Sequence, residues 1–263
     1  MSEISKQLHS LNITVSKTEE KKNTWDDWYL VPSSRPDIAP PKLKSYTLDI
    51  PGADGKIDLS SSLTGYPAFE NRTGSIEFLV MNQGLDSSLG DTYGYNVNNI
   101  AWSGRKTEIM NFLHGQEVQV ELEDLADWYF IGRMSVNEWK SSANYSTITL
   151  DYDLEPYRYS ITDTGDLWKW DTFNFKTGVI RTYTASSMKF NGNTSFTIIG
   201  TTVPVMPTIY VTTACTLTTP HGTFRLPTGS SKNPMIYVYP GKQTWTFSGA
   251  TGSAAVYFRE RSF

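Results

Sequence analysis

The stretch TITLDYDLE, residues 147–155, decides the fold, because apolar and polar residues alternate along its whole length. Successive side chains of a β-strand point to opposite faces of a sheet, so this alternation predicts a strand with one buried face. Ile148, Leu150, Tyr152 and Leu154 are expected to face a core. The polar residues between them are expected to face away from it.

Similar alternation recurs on both sides of this stretch and predicts a β-rich chain. In the first half the predicted strands are 42–50, 56–60, 74–81, 117–123, 128–139 and 145–154. In the second half they are 194–199, 207–213, 222–226, 235–239, 243–248 and 254–259. Turn signals separate the later strands: Asn191-Gly192, Pro220-His221-Gly222, Pro240-Gly241 and Ser248-Gly249. Short strands in this rhythm favour a β-sandwich or jelly roll.

One segment, SGRKTEIMNFLH at residues 103–114, has helical spacing instead of alternation. Its apolar residues are Ile109, Met110, Phe112 and Leu113. Ser103 is suited to the N-cap position, and Gly115 to the left-handed residue that ends many helices. The preceding segment, 82–102, is rich in Gly, Asn and Ser and is predicted to be a long loop.

The segment DIPGADGKIDLS, residues 49–60, raises the question of a metal-binding loop, because it holds three Asp and two Gly residues. A calcium loop needs oxygen ligands at alternate positions, and Pro51 and Ala53 supply no side-chain oxygen. Asp54-Gly55 is instead a favoured pair for a two-residue hairpin turn. We therefore predict a tight turn whose carboxylates are solvated.

Alternation stops near residues 156–167, PYRYSITDTGDL, and a domain boundary is expected there. The predicted fold class is mainly β, with an N-terminal β-rich domain carrying one helix at 1–157 and a C-terminal β-sandwich at 158–263. The proline-rich segment 31–42 is expected to be an extended connector within the first domain.

The formal net charge of -4 and the sequence pI of about 5.4 show no overall basic excess of the kind that a DNA-gripping surface needs. The N-terminal residues lack the apolar centre of a secretory signal, and no run approaches a membrane helix, so synthesis in a cytoplasm is expected. The single cysteine, Cys215, lies in a Thr-rich run and is expected to be a packed core thiol.

No residue pattern in the sequence indicates catalysis, a metal site or a cofactor. The three histidines lie far apart, and neither a P-loop nor a G-x-S-x-G elbow is present. Asp151, Asp153 and Glu155 share one strand face and could be glycosidase carboxylates, but three neighbouring acids are more typical of a solvated face. The prediction is a protein without catalytic residues, metal ligands or cofactor-binding residues.

Two tryptophan pairs leave alternatives open. Trp168 and Trp170, in LWKWDTFNF, point the same way if this segment is a strand, and they could stack on a sugar or pack in a core or an interface. Trp25 and Trp28, in WDDWYL, allow the same two interpretations. Packing is favoured for both pairs, because large aromatic side chains dominate cores and interfaces.

Several segments together resemble the distal tail protein (Dit) family of long-tailed bacteriophages. They are PPKLKSYTLDIPGADGKIDLS…YPAFENRTGSIEFLV at 40–80, EIMNFLHGQEVQVELED at 108–124, LDYDLEPY at 150–157 and YVYPGKQTWTFSGATGSAAVYFRERSF at 237–263. The first segment is similar to the N-terminal signature of that family, and the last to the end of its galectin-like domain.

The resemblance implies a structural protein of two domains without catalytic activity. The N-terminal domain would assemble as a hexameric ring, and the C-terminal domain would be a galectin-like β-sandwich on its outside. The ring would contact the tail tube protein, the tape-measure protein and the tail-associated tip protein, and DNA would pass through its lumen without specific binding. The expected location is the tip of the virion tail. The alternative is a carbohydrate-binding β-sandwich for host-surface recognition, which would use Trp168 and Trp170.

Overall fold

The structure, a computed structural model, describes residues 8–52, 54–62, 65–80, 97–125, 127–141, 146–164 and 183–263. The chain divides into two compact units, Met1–Arg158 together with Phe263, and Tyr159–Ser262. Each unit is mainly β and encloses its own cluster of buried apolar side chains. That these units fold as separate domains, as the expected boundary after residue 157 implies, stays a prediction.

Unit 1 is built on one sheet with the strand order β2-β1-β7-β8-β9-β6-β3. Its strands are β1 (Leu11–Val15), β2 (Lys21–Asn23), β3 (Leu30–Pro32), β4 (Thr47–Asp49), β5 (Lys56–Asp58), β6 (Arg72–Val80), β7 (Glu117–Leu122), β8 (Trp128–Ser141) and β9 (Ser146–Asp163). The helix α1 (Val97–Leu113) precedes β7, and one turn of 3-10 helix, Glu123–Leu125, follows it. Strands β4 and β5 pair only with each other.

The strand register lines up the buried side chains of neighbouring strands in unit 1. Ile13 lies opposite Val120, which lies opposite Phe130 on the next strand. Ile76 lies opposite Leu150 in the same way. Because each row brings apolar side chains to one face, the alternation in the sequence becomes a continuous hydrophobic surface. The predicted inward residues of β9 are all buried, as expected.

The helix α1 supplies Ile109 and Leu113 to this core, one turn apart on the same face. It begins at Val97, so the prediction that Ser103 caps its first turn is wrong, and the predicted loop is wrong over 97–102. The rest of that predicted loop, 82–96, lies outside the described residues. Gly115 ends the helix with a φ of 76°, as predicted.

Unit 2 contains a six-stranded sheet with the order β13-β12-β15-β11-β14, in which β10 also pairs with β15. Its strands are β10 (Met188–Gly200), β11 (Thr208–Val211), β12 (Cys215–Thr219), β13 (Gly222–Leu226), β14 (Gly229–Lys232), β15 (Gly241–Tyr257) and β16 (Arg259–Ser262). Along one edge β15 pairs with β10, and along the other it pairs first with β12 and then with β11. One long strand therefore joins three others into a single sheet.

A bulge in β15 changes which of its residues face the core. Phe190 pairs with Gly252 and Gly192 pairs with Gly249, so β15 has one more residue than β10 between these pairs. Before the bulge the residues of the core cluster are odd-numbered, as at Trp245, and after it they are even-numbered, Ala254 and Val256, although Ala255 between them is buried as well. The turns expected at Asn191-Gly192 and Ser248-Gly249 are therefore wrong, because both pairs lie inside paired strands.

In unit 2 one more prediction of local structure is wrong and another is confirmed. The segment 235–239 is not a strand, since its only ladder contact is an isolated bridge between Val205 and Val238. Ile236 and Val238 are buried all the same, so the alternation indicated burial without a ladder. The turn expected at 220–222 is confirmed, because Thr219 pairs with Gly222 across it.

The carboxylate of Asp124 ties together three segments of unit 1 that lie far apart in sequence. His9 Nδ1 lies 2.8 Å from Asp124 Oδ1, and Arg35 Nε donates to Oδ2 at 2.8 Å. Burial tends to raise the pKa of Asp124, but the hydrogen bonds and charges of His9 and Arg35 outweigh it, and the pKa is lowered. The contacts fix the connector that leads toward β4.

Replacing Gly132 with Ala should destabilise unit 1 by about 1–3 kcal/mol, the usual cost of overpacking. A Cβ at this position of β8 would overlap the carbonyl oxygen of Asp153 and lie 2.6 Å from Cα of Leu154, both of which are backbone. Gly104→Ala is the matched control, because a Cβ there meets nothing within 4 Å and Ala favours the helix by about 1 kcal/mol or less. Calorimetry should show a lowered Tm for Gly132→Ala but not for Gly104→Ala.

Asp124→Asn should lower Tm most near neutral pH, because Asn keeps the shape of the side chain but loses its charge. A carboxyl whose folded pKa lies below its unfolded value of about 3.9 stabilises the fold above that value, and the effect is lost as the pH falls through the folded pKa. The Tm difference from the wild type should therefore disappear in strong acid. An equal difference at about pH 7 and about pH 2 would contradict this account.

Candidate functional site

Residues 42–70 form a projecting hairpin, here called the arm. At its base the backbone NH of Lys44 donates to Ala68 O at 2.9 Å, and that of Glu70 donates to Lys42 O at 2.8 Å. Toward its tip β4 pairs with β5, with Leu48 opposite Ile57. The arm therefore consists of two antiparallel segments that are joined along much of their length.

The loop at the arm's tip differs from the predicted tight turn. Asp49 pairs with Lys56, so residues 50–55 make a six-residue loop and not a two-residue turn at Asp54-Gly55. Gly52 and Gly55 have φ values of 84° and 77°, which favour glycine at both positions. The loop needs a left-handed backbone conformation at two positions, and the sequence has glycine at both, three positions apart.

The arm is amphipathic, and its apolar face is uncovered. Tyr46, Leu48 and Ile50 lie on the same face as Ile57, which pairs with Leu48. The exposed fractions are 65% for Tyr46, 45% for Leu48 and 47% for Ile57. Every residue of β4 and β5 is exposed, including Thr47 on the polar face. The apolar face thus has the composition of a buried surface, but no described part of the chain buries it.

An aromatic cluster holds the base of the arm. The ring centroid of Phe69 lies 4.7 Å from that of Phe263 and 6.2 Å from that of Tyr157, and the last two rings are 5.4 Å apart. These edge-to-face and tilted contacts are favourable arrangements for aromatic rings. Together with the backbone pairing at residues 42–44, they fix the direction in which the arm leaves unit 1.

The residues singled out in the sequence are distributed as follows. Trp168 and Trp170 lie outside the described residues, so their role stays a prediction. Trp28 is fully buried in the core of unit 1, which confirms packing for that residue. Cys215 is buried in the core of unit 2, as predicted, and burial raises the pKa of its thiol.

Asp151, Asp153 and Glu155 lie on the face of β9 that points away from the core, since they alternate with its buried residues. Asp153 is exposed and accepts a hydrogen bond from Asn71 Nδ2 at 2.8 Å. This face continues across β6 and combines acidic with hydroxyl side chains. Its cross-strand pairs are Thr73 with Asp153, Ser75 with Asp151, and Glu77 with Thr149. We call these residues the acidic face.

The two units carry opposite charge, which the net charge of the whole chain conceals. Residues 1–158 contain 14 Lys and Arg against 23 Asp and Glu, whereas residues 159–262 contain 9 against 4. Unit 1 is therefore strongly acidic and unit 2 is basic. A sequence-wide charge balance gave no indication of this division.

Within the described residues, no three His, Cys, Asp or Glu side chains are arranged so that they could hold a metal ion. In the same part of the chain, no helix combines the length and hydrophobicity that a membrane span requires. In unit 1, the uncovered apolar face of the arm is the described surface that is best suited to bind another molecule.

Neither a protein-family model nor a curated protein matches the sequence. Among solved structures, the chain is similar to SPP1 Dit (gp 19.1), described as a paradigm of hub adsorption apparatus in phages that infect Gram-positive bacteria. The TM-score is 0.54 at 13% sequence identity, and the match covers 96% of this chain and 99% of that one. At this identity the likeness establishes a shared fold, and it extends over nearly the whole of both chains. The chain therefore has the β-rich fold of a Dit hub protein.

Proposed function

We propose that this chain is a structural protein of a phage tail tip, where copies of it form a ring that joins the tail tube to the tip. The observation that carries the proposal is the arm, whose uncovered apolar face needs a partner, on a fold shared with a hub protein. The protein acts by presenting shaped surfaces, and no bond is made or broken.

The physical argument starts from the marginal stability of an isolated two-stranded hairpin in water. Such a hairpin becomes stable when its apolar face packs against another surface. Full burial of a Leu or Ile side chain contributes about 1.5–3 kcal/mol, so Leu48 and Ile57 together make a substantial contact. A second copy of the chain is the proposed partner, because a closed ring lets every arm be covered by its neighbour.

Further partners follow from the same proposal. The ring is hexameric and contacts the tail tube protein, the tape-measure protein and the tail-associated tip protein. It is made in the bacterial cytoplasm and is located at the tip of the virion tail. The resemblance of residues 40–80 to the Dit signature suggests these assignments, and the full-length match to SPP1 Dit supports the tail-tip role from which they follow.

The acidic face is the proposed lining of the ring's lumen. DNA carries a dense row of phosphate charges, and a surface that holds it must neutralise them with Lys or Arg. The acidic face places Glu77, Asp151 and Asp153 among hydroxyl groups with no basic residue in its cross-strand pairs. DNA would therefore slide past this surface without being held.

The wild-type protein should form an oligomer of about six protomers, and Leu48→Glu or Ile57→Glu should weaken it by at least about tenfold, since each removes roughly 2 kcal/mol of apolar burial per contact. Mass photometry over a concentration series measures this. Because unit 1 is acidic, salt should strengthen the assembly by screening repulsion between copies.

Thr47→Glu is the matched control, because it adds the same charge one residue away on the polar face of the arm. It should leave the oligomer intact. A wild-type protein that stays monomeric at every concentration, alone and with its tail partners, would overturn the proposal. Equal weakening by Thr47→Glu and Leu48→Glu would show that charge on the arm, and not its apolar face, controls assembly.

Asp151→Lys combined with Asp153→Lys should convert a surface that releases DNA into one that retains it. The double variant should bind double-stranded DNA at least about tenfold more tightly than the wild type, and its affinity should fall steeply with salt. The control is Asp49→Lys with Asp54→Lys, which adds the same charge on the exposed arm. If both double variants gain equal affinity in a gel-shift titration, the acidic face does not line the lumen.

A further inference from the structure

Residues 33–41 connect β3 to the arm and are attached to unit 1 along their length. The backbone NH of Ser33 donates to Glu77 O at 2.9 Å. Ile38 is buried and belongs to the core cluster of unit 1. Ala39 follows it, and only two prolines separate Ala39 from the first residue of the arm. Contacts at Ala39 are therefore well placed to act on the arm.

Both polar groups of the Ala39 backbone are bound by buried side chains. The NH of Ala39 donates to Tyr152 Oη at 3.0 Å, and its carbonyl oxygen accepts from Arg72 Nη1 at 3.1 Å. Tyr152 and Arg72 are each 5% exposed, and hydrogen bonds that are shielded from water are stronger. We call these two hydrogen bonds the clamp.

Arg72 also joins the chain that enters the arm to the strand that leaves it. It is the first residue of β6, and its Nε donates to Pro156 O on β9 at 2.9 Å. Its guanidinium lies 5.4 Å from the centroid of the Phe130 ring, a cation–π contact. A planar guanidinium holds its donors in a fixed geometry, so one side chain can bind both carbonyl oxygens at once.

The clamp costs stability as well as providing it. Burial lowers the pKa of Arg72, because the charged guanidinium loses its hydration, and the charge of Arg158 lowers it further. Nη2 of Arg72 is buried and has no hydrogen-bond acceptor within the described ranges. An aliphatic side chain would avoid both costs, which favours a role for Arg72 beyond filling the core.

Gly74 provides the space that the Tyr152 ring occupies. The two residues lie directly opposite each other on β6 and β9. A Cβ on Gly74 would overlap Oη and Cζ of Tyr152. Because the core is closely packed, a larger residue at position 74 would displace the ring, and its hydroxyl would no longer reach Ala39.

Pro40 and Pro41 connect the clamp to the arm. A proline ring fixes φ at about −65°, and consecutive prolines form a stiff, extended segment. The next residue, Lys42, already belongs to the base of the arm, where its carbonyl oxygen accepts from the backbone NH of Glu70. A change in the orientation of Ala39 would therefore change the direction of the arm.

We propose that Tyr152 and Arg72 are positioning residues for assembly, which hold Ala39 and thereby fix the direction in which the arm meets the next copy. This role rests on the proposed function, in which a neighbouring copy covers the arm. An arm that already points at its partner loses less conformational freedom on binding, so the assembly is tighter. The competing role is purely structural, with the clamp stabilising unit 1 but not directing the arm.

Tyr152→Phe and Tyr183→Phe form a matched pair, because each removes a buried hydroxyl that accepts a backbone NH. The hydroxyl of Tyr183 accepts from Ile199 N at 2.7 Å in unit 2. Both variants should lower Tm by a similar amount. In mass photometry only Tyr152→Phe should weaken the oligomer, by about threefold or more. Equal weakening by the two variants, or none by Tyr152→Phe, would overturn the proposal.

Pulsed electron paramagnetic resonance measures the direction of the arm as a distance between two spin labels. The labels are carried by Asp54→Cys, in the loop of the arm, and Asn111→Cys, on the exposed side of α1, with Cys215→Ala in every protein. Labelled protein is diluted with unlabelled protein, so that only distances within one copy are measured. The distance distribution should be wider in Tyr152→Phe than in the parent. Arg72→Lys should widen it too, because one ammonium replaces the fixed set of donors.

Pro40→Gly combined with Pro41→Gly leaves the clamp in place but replaces the stiff link. This variant should also widen the distribution, and adding Tyr152→Phe should widen it little further, because clamp and link act in series. A distribution that Tyr152→Phe leaves unchanged would overturn the proposal, whatever the state of assembly. If the parent is monomeric at every concentration, the proposed function fails and the assembly role with it, but the distances still decide whether the clamp directs the arm.

Discussion

A two-stranded hairpin cannot bury its own apolar face, and this constraint sets the arm apart from the rest of unit 1. One face of the arm is apolar and the other polar, which is the pattern of a strand pair that packs on something. Elsewhere in unit 1 the same pattern is satisfied within the chain, as at Ile76 and Leu150. At the arm no described residue satisfies it. The surrounding structure, from the aromatic contacts of Phe69 to the fixed connector at Arg35, holds the base of the arm in place.

The opposite charges of the two units give each a different kind of surface. Unit 1 gathers acidic residues, which favour repulsion between copies and from nucleic acid, so in any assembly the apolar contacts would have to outweigh that repulsion. Unit 2 has a basic excess, and charge would favour negatively charged molecules there.

Much of the fold could be predicted from the sequence, because burial on one face imposes a period of two on any strand. The same rule explains the errors. At 235–239 the alternation indicated that Ile236 and Val238 are buried, but burial does not require a ladder. Around Leu48 the alternation indicated an apolar face that is suited to burial, but a period of two does not show what buries it. The bulge in β15 was beyond prediction, since it exists only as a mismatch between two paired strands.

Other features were present in the sequence and were missed. Leu11, Ile13 and Val15 alternate and form β1, at the start of the chain where no strand was predicted. The helix α1 begins before Ser103 because Asn-rich composition does not prevent helix formation when the residues that follow pack on a sheet. The ring of His221 packs against that of Tyr239, 18 positions later, a proximity that only the fold creates.

The shared strand β15 has a mechanical consequence for unit 2. Because β10, β11 and β12 all pair with it, pulling β15 away would break three ladders at once. Under a shearing load along β15, the three ladders would therefore share the force, and unit 2 would resist as one block.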